Sequence, residues 1–131
     1  MNLRVLRGNP GRRPLPNGGA DAGDALDPLD GLPQPPEHLR ADAAVDCWWT
    51  YGAQLLEMGL LTRVDLPALA SYCAAYGRWV WAEEQLARPG MLPIAKTPNG
   101  MVVPNPILTI SNQMQEKMAK IGAEFGMTPS S

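Results

Sequence analysis

Apolar residues Ala44, Trp48, Tyr51, Leu55 and Met58 recur at spacings of four, three, four and three, with Val45, Trp49, Gly52 and Leu56 in a second stripe beside them. That period belongs to one wide face of an α-helix and predicts a helix over about residues 41–58. Gly59 stands where a left-handed helix cap is expected. A second helix announces itself at Thr62, three residues before Asp65, as a capping box with Asp in place of Glu. Pro67 fits only the first turn of that helix, because deeper inside its ring would clash with the preceding turn. Leu66, Leu69, Cys73, Tyr76 and Val80 then follow at helical spacing, with Tyr72, Trp79 and Leu86 on the neighbouring strip. Ala68, Ala70, Ala74, Ala75, Trp81 and Ala82 fill much of the remaining circumference, and Arg78 is the only charge between Leu66 and Ala82. A helix that is apolar nearly all round has to be covered on more than one side. One facing helix in so small a domain does not do this, so the pattern predicts a subunit interface as well as a core. The residues expected at that interface are Trp48, Tyr51, Leu55, Leu69, Tyr72, Tyr76, Trp79 and Val80.

Between Gly90 and Val103 two short apolar runs flank Asn99-Gly100, the signal of a small β-hairpin, and Pro93 keeps its first strand short. Asn105 is a favourable N-cap and Pro106 suits the first position of a third helix. Ile107, Ile110, Met114, Met118, Ile121 and Phe125 form its apolar stripe, and Gly126 is its expected stop. The fold class that follows is mainly α. It has a helical hairpin core, a third C-terminal helix, and a small β-hairpin between helices two and three.

The first 36 residues behave differently. Residues 1–13 hold four arginines and no acid, whereas residues 14–37 hold Asp21, Asp24, Asp27, Asp30 and Glu37 with no Lys or Arg. Of the chain's 27 Gly and Pro residues, 13 fall between Gly8 and Pro36. Residues 1–36 therefore read as a flexible basic arm and an acidic linker, and residues 37–131 as a helical oligomerisation body. At 131 residues the chain makes one domain.

Composition narrows the chemistry. Two Cys and one His do not build a tetrahedral zinc site. Cys47 and Cys73 lie among apolar neighbours and are expected to be buried free thiols. His38 has no nucleophile or cysteine beside it, and Glu83-Glu84 has no second acidic pair at helical spacing. Gly8-Asn9-Pro10-Gly11-Arg12-Arg13 lacks the Gly-Lys-Ser/Thr ending of a phosphate loop. No catalytic residue, metal or cofactor is expected. No apolar run approaches the roughly 18–20 residues of a membrane span. A net charge of −2 rules out a uniformly basic surface but not a local basic arm. In that arm Arg4, Arg7, Arg12 and Arg13 are candidate DNA contacts, each suited to one phosphate, although charge alone equally allows a solvated tail or one pinned to the acidic linker.

The order of elements, together with five stretches, resembles the small terminase subunit of tailed double-stranded-DNA bacteriophages, in the branch without an evident helix-turn-helix. The stretches are 6–15 (LRGNPGRRPL), 35–39 (PPEHL), 59–62 (GLLT) with Asp65, 72–79 (YCAAYGRW), and Asn105-Pro106 leading to 124–131 (EFGMTPSS). The resemblance implies a non-catalytic DNA-packaging component of the host cytoplasm. Such a component forms a ring of more than two subunits, binds double-stranded viral DNA and regulates the ATPase and nuclease of the large terminase subunit. Apart from the resemblance, the residues also allow a dimeric helical DNA-binding transcriptional regulator or a helical protein-interaction scaffold.

Overall fold

The computed structural model describes residues 29–126. The expected arm, with Arg4, Arg7, Arg12 and Arg13, and the last five residues lie outside that range. Three helices dominate, in the order α1 (Asp42–Glu57), a 3-10 turn (Arg63–Asp65), α2 (Leu66–Leu86), strands β1 (Ile94–Lys96) and β2 (Val102–Pro104), and α3 (Pro106–Glu124). This is the mainly α architecture that the periodicity predicts, with its small hairpin between the second and third helices.

The helix boundaries are set by local chemistry. At the end of α1, Gly59 takes a φ of +73°. Its N–H bonds the Leu56 carbonyl at 3.0 Å and the Leu60 N–H bonds the Leu55 carbonyl at 2.9 Å. This is the paired 5→2 and 6→1 pattern of a Schellman stop, in which a left-handed residue satisfies the orphan carbonyls. The next helix is primed by Asp65, whose carboxylate accepts from the Thr62 N–H at 3.0 Å and from the Thr62 hydroxyl at 2.9 Å. Pro67 then sits in the first turn of α2, where its missing N–H is harmless. Asn105 caps α3 through Oδ1, which accepts from the Ile107 N–H at 2.9 Å. Its Nδ2 also donates to the Leu92 carbonyl at 2.8 Å, so one buried side chain both starts α3 and ties down the segment that leads into β1.

The hairpin pairs Ile94 with Pro104, Ala95 with Val103 and Lys96 with Val102. Its loop is closed by bonds from the Thr97 N–H to the Met101 carbonyl and from the Gly100 N–H to the Thr97 carbonyl. Gly100 takes a φ of +87°, the left-handed position of a three-residue hairpin loop.

The core lies mainly between α1 and α2, which run antiparallel. A Cβ on Gly77 would meet the Ala44 Cβ at 3.0 Å, and one on Gly52 would meet the Leu69 side chain at 3.1 Å. Leu39, Trp48, Leu55, Leu61, Leu69, Cys73 and Phe125 are buried there. At about 100° per residue, Leu69, Ala70, Cys73 and Gly77 share one arc of α2, while Ala75 and Ala82 occupy another. Both α1 and α3 pack on α2. Two helices of the chain itself thus cover much of α2, while Tyr72, Tyr76, Trp79 and Val80 stay half-buried. The expected stripe of α3 is half-buried rather than enclosed, and only Phe125 of that stripe is buried.

Residues 29–36, assigned to the linker on composition, lie against this body. The Leu29 N–H bonds the Leu61 carbonyl at 3.2 Å. The indole N–H of Trp48 donates to the Pro33 carbonyl at 2.9 Å. Leu32 rests on Gly52, where a Cβ would come within 3.0 Å of its Cδ2.

Candidate functional site

An open groove between α1 and α2, about 280 Å³ in volume, is lined by Asp46, Cys47, Thr50, Tyr51, Gln54, Tyr72 and Tyr76. The helical period puts Asp46, Thr50 and Gln54 on the exposed edge of α1, while Tyr51 turns inward beside Cys47. Tyr51 and Tyr72 stack with ring centroids 4.2 Å apart, and Phe125, at the end of α3, meets Tyr51 edge-on at 6.3 Å. Tyr76 tilts against Trp79 at 5.9 Å. Burial, with Tyr72 and the two thiols adding to it, pushes the Tyr51 hydroxyl up to about 12. Burial likewise raises Tyr72. Both phenols are thus neutral hydrogen-bonding groups at physiological pH, and the groove offers aromatic packing rather than acid-base chemistry.

The residues expected at a subunit interface divide into two sets. Trp48, Leu55 and Leu69 are buried in the core of their own chain, so their area is already used within the fold. Tyr51, Tyr72, Tyr76, Trp79 and Val80 keep part of their surface and gather on or beside the groove. The Trp79 Nε1 is buried and has no hydrogen-bond partner among the described residues. An unpaired donor stabilises nothing, so Trp79→Phe should change stability by no more than about 1 kcal/mol. Trp79→Ala, which also loses the ring, should cost about 2–3 kcal/mol, less than a fully enclosed ring. Thermal melts of the two variants check this, and equal losses would mean that the indole N–H is satisfied after all.

Large apolar side chains outside the expected interface are exposed at two separate places. Met58, Leu60 and Val64 surround the turn between α1 and α2. Leu92, Ile94, Met101 and Val102 stand on and around the hairpin, beyond the other end of α2. A helix of 21 residues sets these ends about 30 Å apart. Trp49 and Trp81 are exposed as well, at 40% and 48%. For Trp49 the signal was partial, since adjacent helical positions turn about 100° apart but the period does not say which of Trp48 and Trp49 faces the core. For the hairpin it was not, because three-residue strands do not reveal which face stays uncovered. Among the described residues, no three His, Cys, Asp or Glu side chains gather as a metal would need. No described helix is long and apolar enough to cross a membrane.

Comparison with known proteins agrees with the element order. No curated protein and no solved structure gave a match. A family model described as phage terminase, small subunit, matches residues 44–131, which span all of α2, the hairpin and α3 and nearly all of α1. With two thirds of its length so matched, the chain belongs to the phage terminase small subunit family.

Proposed function

We propose that this chain is the non-catalytic recognition and regulatory component of a phage DNA-packaging machine. It assembles into a ring, engages viral duplex DNA and controls the large subunit that carries the ATPase and nuclease. The observation that carries this reading is the family match across the helical body. The surface adds physical support for the ring. Two different apolar patches at opposite ends of α2 suit head-to-tail contact, in which the hairpin of one copy meets the α1–α2 turn of the next. A head-to-tail interface generates a closed ring when its rotation closes.

DNA contact falls to the arm residues Arg4, Arg7, Arg12 and Arg13, which precede the body. Several arms on one ring raise the effective concentration of weak phosphate contacts. Four contacts per arm give a log–log salt slope of about −3.6 on duplex DNA, and this multiplies when more than one arm binds. Replacing all four arginines by alanine should flatten that slope and weaken binding to all sequences alike, as measured by fluorescence anisotropy across a salt series. An unchanged slope in the variant would move the contact to another surface. Specificity then rests on DNA shape as much as on base edges. Particle mass by native mass spectrometry or light scattering tests the ring directly, and a stable monomer at micromolar concentration would overturn it.

A further inference from the structure

The groove leads to a pair of thiols that the packaging role does not use. Cys47 and Cys73 are both free and both buried. They sit on one antiparallel seam: Ala44 faces Gly77, and one turn further along α1 and back along α2 come Cys47 and Cys73. The seam is tight because Gly77 has no side chain, and a Cβ there would lie 3.0 Å from the Ala44 Cβ. At the axis separations of about 8–10 Å usual for packed helices, with Cα atoms at a radius of about 2.3 Å, facing Cα atoms come to roughly 3.5–5.5 Å. A disulfide needs a Cα separation of about 4.4–6.8 Å. The two thiols are close enough for each to shift the other's hold on its proton. They differ in access, since Cys73 is fully enclosed whereas Cys47 lines the groove.

We propose that Cys47 and Cys73 form an intrachain redox site, a dithiol between α1 and α2 that a peroxide entering through the tyrosine groove converts reversibly to a disulfide. Cys47 reacts first. Its thiolate sulfur attacks one peroxide oxygen, the O–O bond breaks, and the departing hydroxide takes the thiol proton as water. The product is a sulfenic acid at Cys47. The Cys73 sulfur then attacks the Cys47 Sγ, the S–O bond breaks, and hydroxide leaves with the Cys73 proton as a second water. Two thiols lose two electrons in all, and one peroxide gains them. The neighbouring Cys73 thiol favours this order by holding the Cys47 thiol below its ordinary range, while Cys47 and burial push the Cys73 thiol up. The thiolate is the nucleophile. Tyr51 and Tyr72 wall the approach, which leaves room for a small oxidant and shields the pair from bulky ones. This site is independent of ring formation and DNA binding.

The test treats the full native chain with a molar excess of hydrogen peroxide, then alkylates and weighs it under non-reducing denaturing conditions. Both thiols should vanish, and the chain should lose the mass of two hydrogens. A peptide map should join the Cys47 and Cys73 fragments within one chain, and dithiothreitol should restore both thiols. Cys73→Ser should stop at the sulfenic acid, trapped at Cys47 by dimedone. Two thiols that still alkylate after an exposure that oxidises the urea-unfolded chain would overturn the proposal, as would a link found only between chains.

Discussion

Trp48→Ala should remove about 4–6 kcal/mol of stability, the largest loss from any single truncation in this fold. Trp48 is 1% exposed at the centre of the α1–α2 core. Emptying such a site costs about 3–5 kcal/mol in lost burial and residual cavity. The indole N–H also donates to the Pro33 carbonyl, and losing that bond adds about 1 kcal/mol. Domains of this kind hold about 5–15 kcal/mol in total, so the variant should lose at least about a quarter of its stability. Trp49→Ala is the matched control. Its ring is 40% exposed, and its loss should cost about 1 kcal/mol or less. Urea titration of the two variants reads the difference, and equal midpoints would show that the adjacent tryptophans do not divide as described.

That division marks the limit of what periodicity conveys here. Helix starts and stops were legible because each rests on a residue with a narrow conformational role: Gly59 at positive φ, Asp65 bonding back to Thr62, Asn105 accepting from Ile107. The hairpin was legible for the same reason, through Gly100. Burial was less so. Trp48 and Trp49 both fall within the broad apolar face of α1, and hydropathy alone does not say which of them the neighbouring helix covers. In α2 the all-round apolar pattern was real, but it did not say how much of it the chain's own helices cover. Small residues such as Ala75, Gly77 and Ala82 let α1 and α3 approach from two sides, so one chain covers much of it. Residues 29–36 were read from their Pro and Asp content, which says nothing of the leucines that fasten them. Leu29 and Leu32 find their places only because Gly52 and the Leu61 carbonyl leave them open. The tyrosines were expected at a subunit interface. Their stacking into a groove depends on the crossing of α1 and α2, which no spacing in either helix specifies.

The two-patch arrangement makes the second large prediction, and it concerns assembly rather than folding. Ile94→Asp with Val102→Asp places two carboxylates on the exposed face of the hairpin, where the folded chain tolerates them because both side chains are more than half exposed. In a head-to-tail contact the same carboxylates would have to be buried against the apolar turn of the next copy. Losing two apolar anchors forfeits about 3–6 kcal/mol of burial, and desolvating the charges adds to that. Affinity between neighbours should fall by at least about a hundredfold, since each 1.4 kcal/mol is a factor of ten. Met58→Asp with Leu60→Asp, at the other end of α2, should have the same effect from the opposite side of the contact. Each double variant should therefore be a folded monomer by circular dichroism and light scattering. Mixing separates head-to-tail contact from a symmetric one. A hairpin variant still has a sound turn, and a turn variant still has a sound hairpin, so an equimolar mixture should form one contact and stop at a heterodimer. Were each patch to pair with its own copy, the mixture would give two kinds of homodimer instead. Full-sized particles from both variants would move the subunit contact away from these ends, to the half-exposed tyrosine face between α1 and α2.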